Sequence, residues 1–494
     1  MDFISTIRNR FRNDRDAPAV EFQGKWYSRG DLVGYAERIA TLLDHAGVPE
    51  RAPVGIIVRN RVPHAAAILG FVAANRSFSM IYAFQSPEAI AKDIAKLQLA
   101  AVVADREDWT PPVIEAARQA GSFGIAISTE GAPVTAVPEA ARMGAGPQRA
   151  EPAEPGIEVL TSGTTGAPKR IQIRMPVLER VVSSATAQVT PNADEPPDLV
   201  FWPFGGIGGV CQLLGATYVG KRMVLLEKFN VADWVGAIKR YRITKVGVQP
   251  TVIRMVLDAK VPREDLASLQ FIFGGSAPLE PATQLLFEQT YGLPVVWGYG
   301  ATEFAGTIIA WTPDLYKQYG EAKRGSIGKV FPGVQIRAVD PLSGVEVPRG
   351  EQGYLEALVP LVNPDWIRTT DIASIDAEGF VTLHGRGDGA IIRGGFKVLP
   401  EIVVKTLIRH PAVLDAAVVG LPEPRLGEIP VAAVELRAGA ETPTEEQLKA
   451  YVREHLPAHH VPAQIRIVER LPRTPSLKVS LGSVRELFAA SSSR

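Results

Sequence analysis

The sequence predicts an α/β protein: a large N-terminal domain of helix-flanked, mostly parallel sheets with a small β-barrel-like subdomain, and a small mobile α+β C-terminal domain. Three observations predict this class. Short β-rich runs alternate with helical patterns over roughly the first 300 residues. From residue 325 the sequence predicts strands interrupted by glycines. Near residue 385 the pattern changes again, to alternating helices and strands. The chain has 494 residues, of which 46% are hydrophobic, and is therefore longer than one ordinary domain.

The N-terminal part carries both helical and strand patterns. The apolar residues that recur at helical spacing in its first clear helix are Leu32, Tyr35, Ile39, Leu42 and Leu43. Gly47 then ends that helix. The strand-like runs are "VGIIV" (54–58), "AAVVA" (100–104), "GIAIS" (124–128), "DLVFW" (198–202), "MVLLE" (223–227), "KVGVQ" (245–249) and "FIFGG" (271–275). Strands that alternate with helices predict parallel sheets covered by helices.

The C-terminal part contains two kinds of secondary-structure pattern. The runs "GSIGKVFPGVQIRAVD", "GYLEALV" and "GFVTLHG" predict a small antiparallel sheet or barrel. After "GRGDGAIIRGG" (385–395), helices around 400–409 and 445–456 alternate with "DAAVVGL" and "VAAVEL", which predicts a compact α+β unit. Three glycines surround Asp388, so we expect a hinge there, between domains 1–386 and 387–494.

Composition excludes several classes of protein. The 53 basic and 53 acidic residues balance, which argues against a nucleic-acid partner. Cys211 is the only cysteine, so a disulfide framework and a cysteine metal cage are excluded. The charged N-terminus is no signal peptide. The most apolar run, 65–74, is about half the length that a bilayer requires, so we expect a buried helix there and a soluble, cytoplasmic chain without a membrane span.

The segment "LTSGTTGAPKR" (160–170) suits a loop that wraps an anion. Glycines let the backbone approach and turn, while N–H groups, hydroxyls and a lysine supply donors and positive charge. A nucleotide triphosphate is the natural ligand, although Walker A spacing is absent and a plain surface turn is the alternative. The residues assigned to nucleotide binding here are Thr161, Ser162, Gly163, Thr164, Thr165, Gly166 and Lys169.

The segment "GYGATE" (298–303) follows a strand-like run, where a parallel sheet ends and ligands usually bind. A carboxylate beside a hydroxyl suits a phosphate with bound Mg²⁺, and a tyrosine offers a flat face for a base. The residues assigned here are Gly298, Tyr299 and Gly300 to the nucleotide, and Thr302 and Glu303 to catalysis, with Glu303 as the metal ligand.

Three later positions complete the set. Asp371 in "RTTD" and Arg386 in "GRGD" suit a nucleotide, since an Asp commonly accepts from ribose hydroxyls. Lys478 lies in the proline-stiffened loop "LPRTPSLK" (471–478) near the C-terminus. Each of these segments alone could have a purely structural role. Their order and spacing in the chain favour a common site.

In combination, these segments resemble the adenylate-forming superfamily of acyl-CoA synthetases, peptide-synthetase adenylation domains and firefly luciferase, from about residue 20 to 485. "GGSAP" (274–278) resembles the segment that lines the adenine pocket, and "GGFKV" (394–398) resembles a loop that flanks the pantetheine tunnel. Lys478 matches the lysine of the adenylation step. The residues that this resemblance adds are Gly274, Gly275 and Ser276 for the nucleotide and Gly394, Gly395 and Lys397 for the tunnel.

The resemblance implies a two-step reaction that uses ATP, Mg²⁺ and coenzyme A. A carboxylate attacks the α-phosphate of ATP, giving an acyl-adenylate and pyrophosphate. The C-terminal domain then swings about Asp388, and the coenzyme A thiol attacks the acyl carbon. Two alternatives stay open: transfer to an acyl-carrier protein, and a degenerate nucleotide- or acyl-binding protein without turnover. A homodimer also stays open.

The segment "FWPFGGIGGV" (201–210) is similar to the family's acyl-pocket motif, with glycines where an aromatic residue and His are usual. Either the pocket is widened for a bulky acyl group, or a neighbouring side chain fills the gap. The substrate that the resemblance implies is a hydrophobic acid: fatty, cyclic or polycyclic. The residues assigned to the acyl pocket are Trp202, Phe204, Gly205, Gly206 and Trp297.

Two departures from the family pattern concern the nucleotide end. Thr370 replaces the usual Gly of "TGD", and Leu477 stands where Gly precedes the catalytic lysine. Because Leu does not readily take a positive φ, we expect the Lys478 loop to follow a different path.

Overall fold

The computed structural model describes residues 2–141, 144, 148–160, 170–186, 195–387, 389–393, 396–423, 426–474 and 477–489. Among these, the residues before 245 form one compact unit, and the residues from 245 onward form a second. None of the described helices combines the length and the apolar character that crossing a bilayer requires.

The first unit contains two sheets and the helices that cover them. Its helices are α1 (Phe3–Arg12), α2 (Arg29–His45), α3 (Val62–Ala73), α4 (Pro87–Leu97), α5 (Pro111–Gln119), α6 (Met175–Thr186), α7 (Ile207–Tyr218) and α8 (Val231–Tyr241). Its strands are β1 (Pro18–Phe22), β2 (Lys25–Ser28), β3 (Val54–Val58), β4 (Phe78–Tyr82), β5 (Ala101–Asp105), β6 (Phe123–Ile127), β7 (Val134–Ala136), β8 (Gly156–Leu160), β9 (Arg170–Arg174), β10 (Asp198–Val200) and β11 (Met223–Leu225).

The larger sheet of this unit has the order β7-β6-β5-β3-β4-β8-β9, and its five central strands run parallel. The smaller sheet has the order β10-β11-β1-β2. Helix α3 is buried almost all round, as the apolar run at 65–74 predicts. Helix α2 begins at Ser28 with a capping box to Asp31, and its predicted apolar stripe is confirmed at Leu32, Tyr35 and Ile39.

The second unit contains three sheets. Its strands are β12 (Lys245–Val248), β13 (Phe271–Gly274), β14 (Val295–Ala301), β15 (Gly306–Ala310), β16 (Lys329–Val330), β17 (Gln335–Val339), β18 (Gly353–Leu358), β19 (Ile367–Ile375), β20 (Val381–Arg386), β21 (Ile391–Arg393), β22 (Phe396–Val398), β23 (Val413–Glu423), β24 (Gly427–Leu436) and β25 (Gln464–Val468). Its helices are α9 (Pro250–Asp258), α10 (Pro281–Tyr291), α11 (Pro313–Tyr319), α12 (Pro400–Ile408), α13 (Glu445–His455) and α14 (Leu481–Ala489).

Two of these sheets carry the segments predicted to form a site. In β12-β13-β14-β15-β16 the first three strands run parallel, and the remaining pairs are antiparallel. The glycine-punctuated strands form the antiparallel sheet β17-β18-β19-β20. The predicted alternation of parallel strands and helices, followed by antiparallel strands, is therefore confirmed.

The last sheet, β22-β21-β24-β23 with β25 beside β24, belongs to the C-terminal part of the chain. Two hydrophobic clusters, drawn from residues 391–465 and 417–488, pack on it and give this part a core of its own. In this structure the C-terminal part nevertheless belongs to the same compact unit as the other residues from 245 onward. The predicted boundary between 386 and 387 concerns a movement and stays a prediction.

Candidate functional site

The glycine- and threonine-rich segment, with Thr161, Ser162, Gly163, Thr164, Thr165, Gly166 and Lys169, lies outside the described residues. Both flanking residues are described. Leu160 ends β8 and Arg170 begins β9, and the two residues are register partners in an antiparallel pair. Arg170 donates to the Met80 carbonyl at 2.7 Å and pairs with Asp93. The segment therefore connects two adjacent, anchored strand ends.

The "GYGATE" segment begins where β14 leaves its parallel neighbour. Strand β14 pairs with β13 up to Trp297, and from Gly298 to Ala301 it pairs antiparallel with β15. The chain approaches itself closely here, because a Cβ at Gly300 would lie 2.1 Å from the Gly306 carbonyl oxygen. The predicted position of this segment, at the end of the parallel strands, is confirmed.

Tyr299, Asp371 and Arg386 come together on neighbouring strands. Asp371 and Arg386 are register partners in β19 and β20. The Tyr299 hydroxyl donates to the Asp371 carboxylate. Burial, and then the Asp371 charge, raise the pKa of Tyr299, so its hydroxyl stays protonated and keeps its donor role. A ribose-sized group could meet Asp371 and the Tyr299 ring together.

Thr370, which departs from the family pattern, has a defined role here. The Arg386 guanidinium donates to the Thr370 hydroxyl at 2.7 Å, and the Gly387 N–H donates to the Thr370 carbonyl at 2.7 Å. A glycine at this position would keep the second bond and lose the first. The substitution therefore orients Arg386 rather than disturbing it.

Lys478 lies in the same unit and is coupled to Glu303 and Arg386. Burial lowers the pKa of Lys478, the Glu303 carboxylate opposes this, and Arg386 lowers it further. Glu303 itself is exposed, in the short turn after β14. Glu303, Arg386 and Lys478, which are far apart in the chain, therefore lie near enough in this unit for their charges to interact. Such a group can stabilise negative charge that develops on a phosphate.

The expectation that Leu477 avoids a positive φ is wrong, because its φ is 62°. The left-handed region costs a residue with a Cβ about 1–2 kcal/mol. Three hydrogen bonds offset that cost. The Leu477 N–H donates to the Thr474 carbonyl at 2.9 Å, and the Leu477 carbonyl accepts from Thr251 at 3.2 Å and from Arg473 at 3.4 Å. The Lys478 N–H donates to the Thr474 hydroxyl at 3.2 Å.

Of the predicted acyl-pocket residues of the first unit, Gly205 and Gly206 lie beside Tyr82, which sequence reasoning missed. A Cβ at Gly205 would lie 2.4 Å from the Tyr82 ring, so this ring fills the space of the missing aromatic residue. At Gly206 the nearest described atoms, the Pro203 carbonyl and the Tyr82 hydroxyl, are 3.8 Å from a Cβ. The described residues therefore fill the space at Gly205, whereas at Gly206 they would meet a Cβ at ordinary van der Waals distance.

Trp202 and Phe204 frame these glycines. The Trp202 ring lies 2.4 Å from where a Cβ at Gly208 would be, so that glycine admits the indole. Phe204 is 1% exposed, and its N–H donates to the Asn60 side-chain oxygen at 2.9 Å. Asn60 also donates to the Trp202 carbonyl at 3.0 Å. One buried asparagine thus fixes the backbone on both sides of Pro203.

Trp297 and the predicted adenine segment lie in the second unit. The Trp297 ring is 3% exposed and occupies the space beside Gly274, where a Cβ would lie 2.5 Å from it. Its indole N–H donates to the Ala277 carbonyl at 3.1 Å. Ser276 has a φ of 66°. These contacts make Trp297 a support for residues 274–277, while its place in the acyl pocket stays a prediction.

The predicted tunnel and hinge residues are only partly described. Asp388, Gly394 and Gly395 lie outside the described residues, and Lys397 is placed by its backbone alone, in β22. Of the predicted glycines around the hinge, Gly387 packs tightly, since a Cβ there would lie 2.0 Å from the Tyr354 hydroxyl. The hinge and the tunnel stay predictions.

Besides Tyr82, sequence reasoning missed a buried ion network formed by Arg254, Asp415 and Arg473. Asp415 is 3% exposed inside the apolar run "VLDAAVVGL". An acidic residue in a buried strand needs a cationic partner, and Arg254 interrupts the apolar helix "TVIRMVL" in the same way. This signal was present in the sequence, but it does not say which arginine meets which acid.

Comparisons with known proteins agree with this geometry. A protein-family model described as "AMP-binding enzyme" matches residues 7–358, and one described as "AMP-binding enzyme C-terminal domain" matches residues 405–478. The chain is 27% identical over 509 residues to 4-coumarate–CoA ligase 5 of Oryza sativa subsp. japonica, which covers 97% of this chain and 93% of that protein.

Solved structures share the fold over almost the whole length. ATP-bound MatB from Rhodopseudomonas palustris superposes with a TM-score of 0.83 at 24% identity, covering 99% of both chains. The amide bond synthetase McbA from Marinactinospora thermotolerans superposes with a TM-score of 0.79 at 25% identity, covering 99% of this chain and 100% of that one. The first likeness concerns the fold alone.

Proposed function

This chain belongs to the family of AMP-binding enzymes, the adenylate-forming superfamily of the acyl-CoA ligases, and on that premise we propose that it is an ATP-dependent acid–CoA ligase. Its substrate is a hydrophobic carboxylic acid, bulky or polycyclic acids included. In the first step a carboxylate oxygen bonds to the α-phosphorus of ATP, and the bond to the pyrophosphate oxygen breaks. In the second step the coenzyme A sulfur bonds to the acyl carbon, and AMP leaves.

The grouping of Lys478, Arg386 and Glu303 carries this proposal. The first step concentrates negative charge around phosphorus, and two fixed cations aimed there lower its energy. Arg386 is held by Thr370, and Lys478 is held by the hydrogen bonds of its loop. The substrate carboxylate is already ionised at neutral pH, so this step needs no general base.

Nucleoside recognition is assigned to the second unit. Asp371 has the acceptor oxygens that ribose hydroxyls require, and the Tyr299 ring offers the adenine a flat surface. The Tyr299–Asp371 hydrogen bond fixes both side chains before a ligand arrives. Preorganised groups of this kind save the ordering cost of binding.

Mg²⁺ fits the exposed Glu303 carboxylate, since this cation prefers hard oxygen ligands. When bound, it would neutralise phosphate charge. Among the described residues, no group of three or more His, Cys, Asp and Glu side chains could hold a metal ion. Glu303 is therefore assigned as a single protein ligand, beside phosphate oxygens and water.

The test combines the purified full chain with ATP, Mg²⁺ and a panel of fatty, cyclic and polycyclic acids, with and without coenzyme A. We expect AMP release that requires both an acid and coenzyme A. Acid-dependent pyrophosphate exchange without coenzyme-A-dependent AMP release would replace this proposal with transfer to a carrier protein. ATP binding with no exchange for any acid would favour a binding protein without turnover.

A further inference from the structure

Asp415 in β23 is the centre of a buried ion network in the second unit. Its carboxylate accepts from Arg254 of α9 at 3.1 Å and from Arg473 at 2.6 Å. The Ala416 N–H donates to its other oxygen at 3.0 Å. Arg473 also lies 3.4 Å from Glu435. The arginine side chains are 12% and 18% exposed, so water screens these charges weakly.

Arg473 connects this network to the peptide that precedes the catalytic lysine. One guanidinium nitrogen donates to Asp415, and the other donates to the Thr251 hydroxyl at 3.1 Å and to the Leu477 carbonyl at 3.4 Å. The Thr251 hydroxyl in turn donates to the Leu477 carbonyl at 3.2 Å. These bonds form a closed ring around the carbonyl of a residue with positive φ.

Thr251 and Arg254 reach this ring from a single helix face. They are three residues apart on α9, so their side chains project in the same direction. Thr251 is 7% exposed and lies in the first turn of that helix, which begins at Pro250. Both residues precede position 386, whereas Asp415, Arg473 and Leu477 follow it. The ring therefore joins the two parts of the chain that the predicted hinge separates.

We propose that Thr251 and Arg254 are positioning residues that act through Asp415 and Arg473 to hold the Leu477–Lys478 peptide in the position seen in this structure. We call Thr251, Arg254, Asp415 and Arg473 the latch. The latch favours the arrangement for adenylate formation and has to open before the C-terminal part can turn for thioester formation. This role rests on the proposed function, which assigns Lys478 to the first step.

The test compares the two half-reactions in latch variants. Thr251→Val keeps the shape of the side chain and removes the hydroxyl, and Arg254→Gln removes one cation from Asp415 while leaving Arg473. Arg254→Lys is the conservative variant. The matched controls are Thr406→Val, whose buried hydroxyl bonds only within its own helix among the described residues, and Arg337→Gln, which breaks a different pair, with Glu356.

We expect Thr251→Val and Arg254→Gln to slow acid-dependent pyrophosphate exchange about tenfold, the effect of losing one hydrogen bond. Thioester formation from supplied acyl-adenylate and coenzyme A should stay within about twofold. Arg254→Lys should recover most of the exchange rate, and the controls should match the wild type. Equal losses in both half-reactions would overturn the proposal.

A second readout does not depend on activity. Hydrogen exchange of the Leu477 and Lys478 amides, followed by mass spectrometry on the full chain, should become faster in Thr251→Val and Arg254→Gln and stay unchanged in both controls. Unchanged exchange of these amides in the latch variants would contradict the proposal, whatever the rates. If the wild type catalyses neither half-reaction, the proposed function fails, and the amide exchange still decides whether the latch exists.

Discussion

Leu477 shows how a single residue can depart from a family pattern without losing the local backbone shape. Glycine is the residue expected before the catalytic lysine, because it takes positive φ freely. Leu477 takes a φ of 62° with a Cβ present, while Thr251 and Arg473 hold its carbonyl. The surrounding hydrogen bonds replace the conformational freedom that glycine would supply.

Leu477→Gly should therefore retain adenylate formation, because glycine adopts the observed φ without strain. The relieved strain of about 1–2 kcal/mol is offset in part by the greater entropy of glycine in the unfolded chain. Leu477→Val should lower the exchange rate at least about tenfold, since a β-branched residue tolerates positive φ least. Pyrophosphate exchange and thermal melting of both variants check this, and equal rates for Gly and Val would contradict it.

At the scale of elements, β4 and the turn before α7 meet through Tyr82 and Gly205. Gly205→Ala places a methyl group 2.4 Å from the Tyr82 ring and should cost about 1–3 kcal/mol of unfolding free energy. Combining it with Tyr82→Leu, which removes the ring, should recover part of that loss. Tyr82→Phe is the matched control, since it keeps the ring and should give no rescue. Denaturant unfolding measures all three variants.

Gly206 should behave differently, although it is the adjacent residue. The nearest described atoms lie 3.8 Å from a Cβ there, so Gly206→Ala should leave the unfolding free energy within about 0.5 kcal/mol. If this position borders the acyl group, the added methyl group should lower kcat/KM for the bulkiest accepted acids about tenfold or more. Unchanged kcat/KM for bulky and small acids alike would remove Gly206 from the acyl pocket.

Helix α12 and strand β20 meet at a buried carboxylate. The Arg386 backbone N–H donates to the Glu401 carboxylate. One of the two carboxylate oxygens has no hydrogen-bond partner among the described residues. Burial raises the pKa of Glu401 above its ordinary value of 4.5, against the effect of these bonds and of Arg386 and Lys405. A raised pKa in the folded state gives stability that is present at low pH and lost as the pH rises through the folded value.

Glu401→Gln should therefore raise the Tm at pH 7, because it removes the cost of the buried charge. The difference should shrink as the pH falls, because the Glu401 carboxyl of the wild type then becomes protonated and loses its charge. Melting of both proteins between pH 4 and 8 measures this, with the exposed Glu351→Gln as control. A lower Tm for Glu401→Gln at pH 7 would show that the charge is better solvated than its surroundings indicate.

At the scale of the whole molecule, local segments were predictable and long-range partners were not. The strands from "VGIIV" to "FIFGG" follow from short patterns in the chain, whereas the register that makes Asp371 and Arg386 partners does not. The resemblance to adenylate-forming enzymes is confirmed by the family models. The closeness of Arg254 and Asp415, 161 residues apart, depends on the packing of several elements, which no local pattern encodes.

Tyr82 illustrates the same limit. Its strand was not among the predicted runs, and its ring meets Gly205 only because β4 lies inside the parallel sheet. Comparison with the family motif shows that two large side chains are missing from "FWPFGGIGGV". It does not show whether a neighbouring side chain fills the space. The structure identifies the neighbour at one of the two positions.

In the proposed reaction, Lys478 acts on the α-phosphate of ATP in a site assembled from distant segments of the chain. Acid-dependent exchange of labelled pyrophosphate into ATP measures that step without coenzyme A. We predict that the wild type exchanges with at least one hydrophobic acid and that Lys478→Ala lowers the rate about 10²- to 10³-fold, the usual effect of losing one transition-state donor. An unchanged exchange rate in a folded Lys478→Ala variant would contradict the account.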